Sequence, residues 1–376
     1  TYNDKNIVVD TGFIVFNKRT YFHLPKLLDF LNVQYHKSSM SFGVSTKNPD
    51  FEYSAANLSG LFAQKKNIFN PSFWGMLYDI IRFNKNAKKL LSAGDKEKTL
   101  LEFLNELKLG EYFKQYYLLP MSGAIWSCSL KAMQNYPAFN FIRFFDNHGL
   151  LTIFNQPQWY SIIGGSREYV NKLAAKLDYQ LDCKIEKIQQ YKSKYYLYTE
   201  GRKLGLFDKV VFAAHTNQNQ QIFQNSSNEF HEYAQIFEKF KYEENKVILH
   251  KDPSQMPKTK KAWASWVYLS NHNQNAKKIA VSYYMNQLQN IDKNYPLFVT
   301  LNPIEKIAKQ HIFREFTYEH PLFDHDAIST QKEILDIQGN KNLYFVGSYL
   351  MNGFHEDGLL SAVKLAQQLK VKICWL

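Results

Sequence analysis

Apolar and polar positions along this 376-residue chain switch between a helical period and a strand period, and the switches divide it into elements. Ile7 to Asp10 reads as a short strand ending in a turn at Gly12. From Tyr21 to Leu31 the apolar residues recur at helical spacing, through Leu24, Leu27, Leu28 and Leu31. A second helical stretch runs from Pro71 to about Tyr117. It is carried by Phe73, Trp74, Leu77, Ile80 and Ile81, then by residues 100–107 after a break at Ala93-Gly94. A helix is expected over 169–177, just past the Gly164-Gly165 step. Strand-like runs follow at 184–188 and 195–199, and Gly201 turns the chain toward Val210-Val211-Phe212. Strands are expected again at 247–249, 280–284, 297–301 and 311–318. The C-terminus then reads as strand, loop and helix. Leu343 to Val346 is a continuous apolar run, Gly347, Gly353 and Gly358 punctuate a loop, and Leu359, Val363, Ala366 and Leu369 give one apolar face. No internal repeat or low-complexity linker interrupts the pattern.

Composition supports a packed protein of about two domains. Hydrophobic residues make up 45% and aromatics 16%, which disfavours disorder. No apolar run reaches the ~18 residues of a membrane-spanning helix. Cys128, Cys183 and Cys374 lie far apart with no Cys-x-x-Cys pair, which argues against a disulfide framework or zinc site and suits a reducing cytoplasm. The net charge of +12 has two readings. One is a lysine-rich solvated surface. The other is attraction to an anionic membrane, with Lys258, Lys260 and Lys261 beside Trp263 and Trp266 as the contact. The second would place the protein peripherally on the inner membrane face. Nucleic acid is not an expected partner, because no binding motif accompanies the charge.

The C-terminal strand–loop–helix is the most informative chemistry. A strand feeding a helix N-terminus across a glycine loop offers backbone N–H groups and a positive dipole end. Such a site stabilises a cofactor that is anionic when reduced, as the isoalloxazine ring is. Six segments in order strengthen this. They are Val9-Asp10-Thr11-Gly12-Phe13 through Asn17, Leu119 through Ser127, and Gln158-Trp159 with Ile163-Gly164-Gly165-Ser166-Arg167-Glu168-Tyr169. Phe207 through His215, Ala262 through Trp266 and Pro296 through Pro303 complete the series. With the Gly353-Phe-His-Glu-Asp-Gly358 wording, the chain resembles the flavin-containing amine oxidase superfamily. Within it, the wording resembles a bacterial branch of amine-oxidase-like NAD/FAD-binding proteins often encoded beside cyclopropane fatty acid synthases.

The resemblance implies an α/β fold with α+β elements. A Rossmann-like FAD-binding domain (1–20, 155–222 and 333–376) would be interleaved with a substrate domain of helices and a mixed sheet (21–154 and 223–332). It implies FAD as cofactor and hydride transfer from an organic substrate to the flavin. The aromatic wealth and gene neighbourhood favour a lipid or fatty-acyl substrate over a small polar amine. A cyclopropane fatty acid synthase-like enzyme becomes the functional partner. The alternative is a non-catalytic flavin-binding accessory protein of a lipid-modifying system. No Gly-x-Gly-x-x-Gly occurs in these residues. The expectation is therefore a fragment whose dinucleotide fingerprint lies upstream, and the rival is a flavin-free relative.

Cofactor contacts expected from the resemblance fall at Asp10, Thr11, Gly12 and Phe13, and at Gly164, Gly165 and Ser166. Ile185 would hold the adenine through its backbone, and Ala213 and Ala214 would leave room for the adenosine or phosphates. Gly347, Ser348, Gly358 and Leu359 belong to the flavin loop. Glu356 and Asp357 serve it as caps and organisers. Serine at 348 replaces the acid usual in the family, which puts the ribityl or phosphate contact there in doubt. His355 has two readings, a catalytic one beside the flavin and a plain loop histidine. Trp126, Trp159, Tyr268 and Tyr284 are aromatic lining or core. His320 and His325 with Asp324 and Asp326 lack helical ligand spacing, so no metal is expected. The absence of Gly-x-Ser-x-Gly and of a P-loop disfavours a hydrolase or an NTPase.

Overall fold

A computed structural model describes residues 2–126, 134–147, 149–152, 156–271 and 279–376. Cys128 and Ser127 lie outside the described residues. The chain divides into two compact units. One comprises Thr1–Thr20, Val33–Glu168 and Glu244–His320, the other Tyr21–Asn32, Tyr169–Glu243 and Pro321–Leu376.

The first unit is organised by a seven-stranded sheet. Its strands run in the order Ile312–Pro321, Tyr242–His250, Phe298–Leu301, Ala280–Tyr284, Trp266–Ser270, Phe42–Lys47 and Asp50–Ser54. Trp266–Ser270 pairs in parallel with Phe42–Lys47 and antiparallel with Ala280–Tyr284, so the sheet is mixed. A smaller sheet joins Phe16–Asn17, Trp159–Ile162 and Tyr35–Ser38. The helix Pro71–Ala93 starts on a proline that fits the first turn, is capped by Asn70 accepting from the Ser72 N–H, and stops at Gly94 with φ +72°. It buries Phe73, Met76, Phe83, Ala87 and Leu90 on one side. Each large side chain withdrawn from water in this way contributes roughly 1.5–3 kcal/mol. A reciprocal Thr99–Glu102 capping box starts the helix Leu100–Glu106. Trp263 and Trp266 are half-buried. Trp263 packs edge-on against Tyr284 and Phe298 and donates its indole N–H to the Pro257 carbonyl, while Trp266 packs against Tyr283.

The second unit holds a parallel pair, Val210–Phe212 beside Leu343–Phe345, and an antiparallel meander of Lys187–Tyr191, Lys194–Thr199 and Arg202–Phe207. Phe212, Phe223, Phe237 and Phe345 stack into an aromatic core behind the parallel pair. Helices Leu24–Phe30, Thr216–Gln224, His231–Glu238, His325–Asp336 and His355–Gln368 belong to this unit.

The α/β class with a mixed sheet is as expected. Three local readings change. Residues 7–10 join no ladder, because the Asp10 N–H goes to the Gln289 side chain rather than to a neighbouring strand. The segment beginning at Asp324, read as loop, starts a helix, with the Asp324 carboxylate accepting from the Ala327 N–H. The strand expected at 184–188 starts only at Lys187 and runs to Tyr191.

Candidate functional site

In the first unit the residues around Asp10 meet the Gly164–Ser166 turn. The Ser166 N–H donates to both Asp10 oxygens, at 3.0 and 3.2 Å, and the Ser166 hydroxyl donates to the Phe13 carbonyl at 3.2 Å. Gln289 closes the arrangement: its carbonyl accepts from the Asp10 N–H at 2.9 Å, and its amide donates to Asp10 Oδ2 at 3.1 Å. Only glycine fits position 165. Its φ is +83°, and a Cβ would stand 2.8 Å from Val8 Cγ1 and 3.1 Å from the Asp10 carboxylate. Burial raises the pKa of Asp10, opposed by the Ser166 hydrogen bonds and the Arg167 charge. Thr11 Oγ1 and the Tyr318 hydroxyl share a hydrogen bond of 2.7 Å.

Gly12 stands exposed beside this network, with nothing within 4 Å of where a Cβ would sit. A cavity of about 380 Å³ is lined by its neighbour Thr11. Val8, Val9, Leu249 and Phe316 give it apolar walls, and Arg167 and Arg314 bring positive charge; none of its lining residues is an acid.

The second unit builds the C-terminal loop around hydrogen bonds to backbone. Ser361 Oγ accepts from the Gly347 N–H at 2.9 Å and donates to the Gly358 carbonyl at 2.6 Å, tying the end of the strand to the first turn of the helix. A Cβ at Gly347 would strike the Tyr349 ring at 2.4 Å. Gly358 is different: a Cβ there would meet only Ser348, at 3.6 Å from its nitrogen. Asp357 Oδ2 accepts from the Asn352 and Phe354 N–H groups, while burial raises its pKa. The buried Glu356 carboxylate accepts from the His23 and Leu24 N–H groups at 2.7 and 3.1 Å, with His23 Nδ1 at 2.8 Å. Both acids are thus occupied with backbone donors.

His355 opens the helix His355–Gln368, and its Nε2 lies 2.8 Å from the Tyr169 hydroxyl, with the rings edge-on. Burial lowers its pKa to about 4, so the imidazole is neutral at pH 7. Ala213 and Ala214 follow directly after the strand Val210–Phe212, and His215 stacks on Tyr242 at 5.2 Å as the helix Thr216–Gln224 begins. Ile185 and Leu359 are half-buried, Ile185 just ahead of the meander and Leu359 in the helix.

Sequence reasoning missed Gln289, Tyr318 and the role of Tyr169. Nothing local marks the first two. Tyr169 stands in the same motif as Gly164 and Gly165, but its partner lies 186 positions away. Among the aromatic candidates, Tyr268 borders a second cavity of about 810 Å³, whereas Tyr284 stacks on Phe298 in the core. Trp159 is half-buried.

Residues 1–370 match the sequence profile of the flavin containing amine oxidoreductases. The chain belongs to that family. It is an FAD-dependent oxidoreductase. Solved structures share the fold of this amine oxidoreductase. A CLA-producing fatty acid isomerase from P. acnes has a TM-score of 0.64 at 13% identity, covering 96% of this chain and 87% of the other. Cyclohexylamine oxidase from Brevibacterium oxydans IH-35A has a TM-score of 0.62 at 12% identity, with 96% and 88% covered. Putrescine oxidase bound to putrescine has a TM-score of 0.61 at 11% identity, with 96% and 88% covered. Among curated proteins no sequence matches this chain.

The residues present fit the flavin end of FAD. Gly358 keeps open the space that a side chain would fill. Gly358 also lies in the first turn of a 14-residue helix, whose dipole favours negative charge.

Proposed function

We propose that this amine oxidoreductase relative oxidises a lipid or fatty-acyl substrate rather than a small cationic amine. The observation that carries the reading is the cavity at Thr11, where Arg167 and Arg314 accompany apolar walls and no carboxylate lines the space. A protonated amine would meet like charge there. A carboxylate or other anionic head would be held by guanidinium groups, with its chain against Val8, Leu249 and Phe316. A fatty acid isomerase shares the fold, so the fold is compatible with such a substrate. The family branch that the sequence resembles adds a cyclopropane fatty acid synthase-like enzyme as functional partner.

FAD, when bound, supplies the two-electron acceptor for the hydride leaving the substrate. The chain's own groups position and exclude. Asp10, Ser166 and Gln289 hold the 10–13 segment in one conformation, so Gly12 presents backbone without a side chain. His355 works as a neutral imidazole fixed by Tyr169, donating a hydrogen bond or exchanging a proton, and not as a standing cation.

Anaerobic mixing of the FAD-loaded enzyme with candidate substrates tests the reading. Fatty-acyl compounds should bleach the oxidised flavin band, and primary amines should not. Arg314→Gln should raise the fatty-acyl concentration needed by about tenfold or more, the loss of one charge-assisted contact. Bleaching by amines alone would replace the lipid reading, and no bleaching by any lipid would favour the accessory reading.

A further inference from the structure

The helix Pro71–Ala93 is apolar on two sides in its first half. Phe73, Met76, Phe83, Ala87 and Leu90 face the core, yet Trp74, Tyr78 and Ile81 are 50, 63 and 55% exposed. These three follow one another at i, i+4 and i+7, so they form a single outward stripe. Phe69, 84% exposed, lies just ahead of the helix. The Trp74 indole N–H donates to the Ile68 carbonyl at 2.8 Å, and the ring packs 5.6 Å from Phe62. The patch is therefore held in place rather than frayed.

Lys85 and Lys88 continue the same stripe with Lys89 beside them, all three exposed, while Lys66 ahead of the helix is paired with Asp50 at 3.4 Å. Between 57 and 94 the only acid is Asp79. It is buried and occupied by Arg82 and the Gly110 N–H, at 2.9 and 2.8 Å. The exposed charge of this segment is uniformly positive.

We propose that this face docks on an anionic lipid surface. Trp and Tyr carry an apolar body and a polar end, the combination enriched where hydrocarbon meets headgroups. Lysines along the same stripe can bury their stems while their ammonium groups reach phosphates. A second protein copy is the weaker fit, because protein interfaces are depleted in lysine and this face carries Lys85, Lys88 and Lys89. The inference is independent of which substrate the enzyme oxidises.

Flotation of the FAD-loaded enzyme with vesicles separates the outcomes. Binding is expected to phosphatidylglycerol vesicles, much less to phosphatidylcholine alone, and to weaken as salt rises. Replacing Lys85, Lys88 and Lys89 by Glu should weaken it by about a hundredfold, since each lysine near a charged surface contributes comparably. Trp74→Ser with Tyr78→Ser should weaken it as well, with flavin content retained as the folding control. If the double variant fails to fold, the lysine variant alone decides. Equal binding by wild type and the lysine variant would overturn the proposal. So would wild type that ignores phosphatidylglycerol, or a dimer that the lysine variant splits without any vesicle binding.

Discussion

Gly358 occupies a helical position where alanine would be more stable, by up to about 1 kcal/mol, and a Cβ there would meet only ordinary contacts. The protein keeps glycine although its own packing does not require it. Gly358→Ala should therefore hold or raise thermal stability. Gly358→Leu should lower FAD affinity by about tenfold or more, the equivalent of the ~1–3 kcal/mol that overpacking costs. Flavin-to-protein ratio and circular dichroism check both halves, and undiminished flavin in the Leu variant would remove this loop from the cofactor site. His355 gives a second test. Because its pKa lies near 4, it can contribute a neutral hydrogen bond but no charge. His355→Ala should lower the flavin potential by about 20–30 mV, the size of a ~1 kcal/mol hydrogen bond in a two-electron couple. Spectroelectrochemical titration reads the shift, and a change of a few millivolts would leave His355 as a loop histidine. The cofactor motifs around these two residues were legible in the sequence as glycines and a titratable group in one short loop. The Tyr169 partner was not, because side-chain meetings across 186 positions leave no local mark.

At the level of elements, legibility followed periodicity. The 71–93 stripe of large apolar residues announces a helix, and the helix runs unbroken for 23 residues. The 325–336 helix hides because Ser329, Thr330 and Gln331 dilute its apolar period, and its one clear signal is Asp324 at the cap. The 7–10 run misleads for the opposite reason: it is apolar enough for a strand, but a side-chain amide captures its last N–H. Glu356 links two elements that no sequence window could connect. Its carboxylate caps the helix Leu24–Phe30 through the His23 and Leu24 N–H groups. Removing a buried charge-assisted cap costs roughly 1.5–3 kcal/mol. Glu356→Ala should therefore lower the denaturation midpoint and speed amide exchange across 24–30 well before the rest of the chain. Uniform exchange behaviour would mean the helix is held by packing alone.

Over the whole molecule, each unit carries one histidine buried in its neutral form. His250, bonded to Thr300 at 2.7 Å, and His355 both have pKa values lowered by burial from 6.5 to about 4. The folded state therefore binds fewer protons than the unfolded chain below pH 6.5. Stability is full above that value and is lost as pH falls toward 4, by a few kcal/mol per histidine. Asp10 and Asp357, whose pKa values are raised, oppose the trend only near the acid end, where they take up protons more readily folded than unfolded. Urea midpoints measured from pH 7 to pH 4.5 should fall steadily, and His355→Gln should flatten the curve. A flat wild-type profile would mean that neither histidine is excluded from water.

The cap on Leu24–Phe30 also sets an order of events during synthesis. Its donor groups emerge from the ribosome 333 residues ahead of the carboxylate that receives them. At about 5–20 residues per second, the early helix waits roughly 17–70 s for its partner. Until then the apolar face of Leu24, Leu27 and Leu28 has no finished unit to enter, because the segments 21–32, 169–243 and 321–376 fold together. Nascent chains stalled before Glu356 should consequently recruit holding chaperones at residues 21–32 and be nicked there by protease.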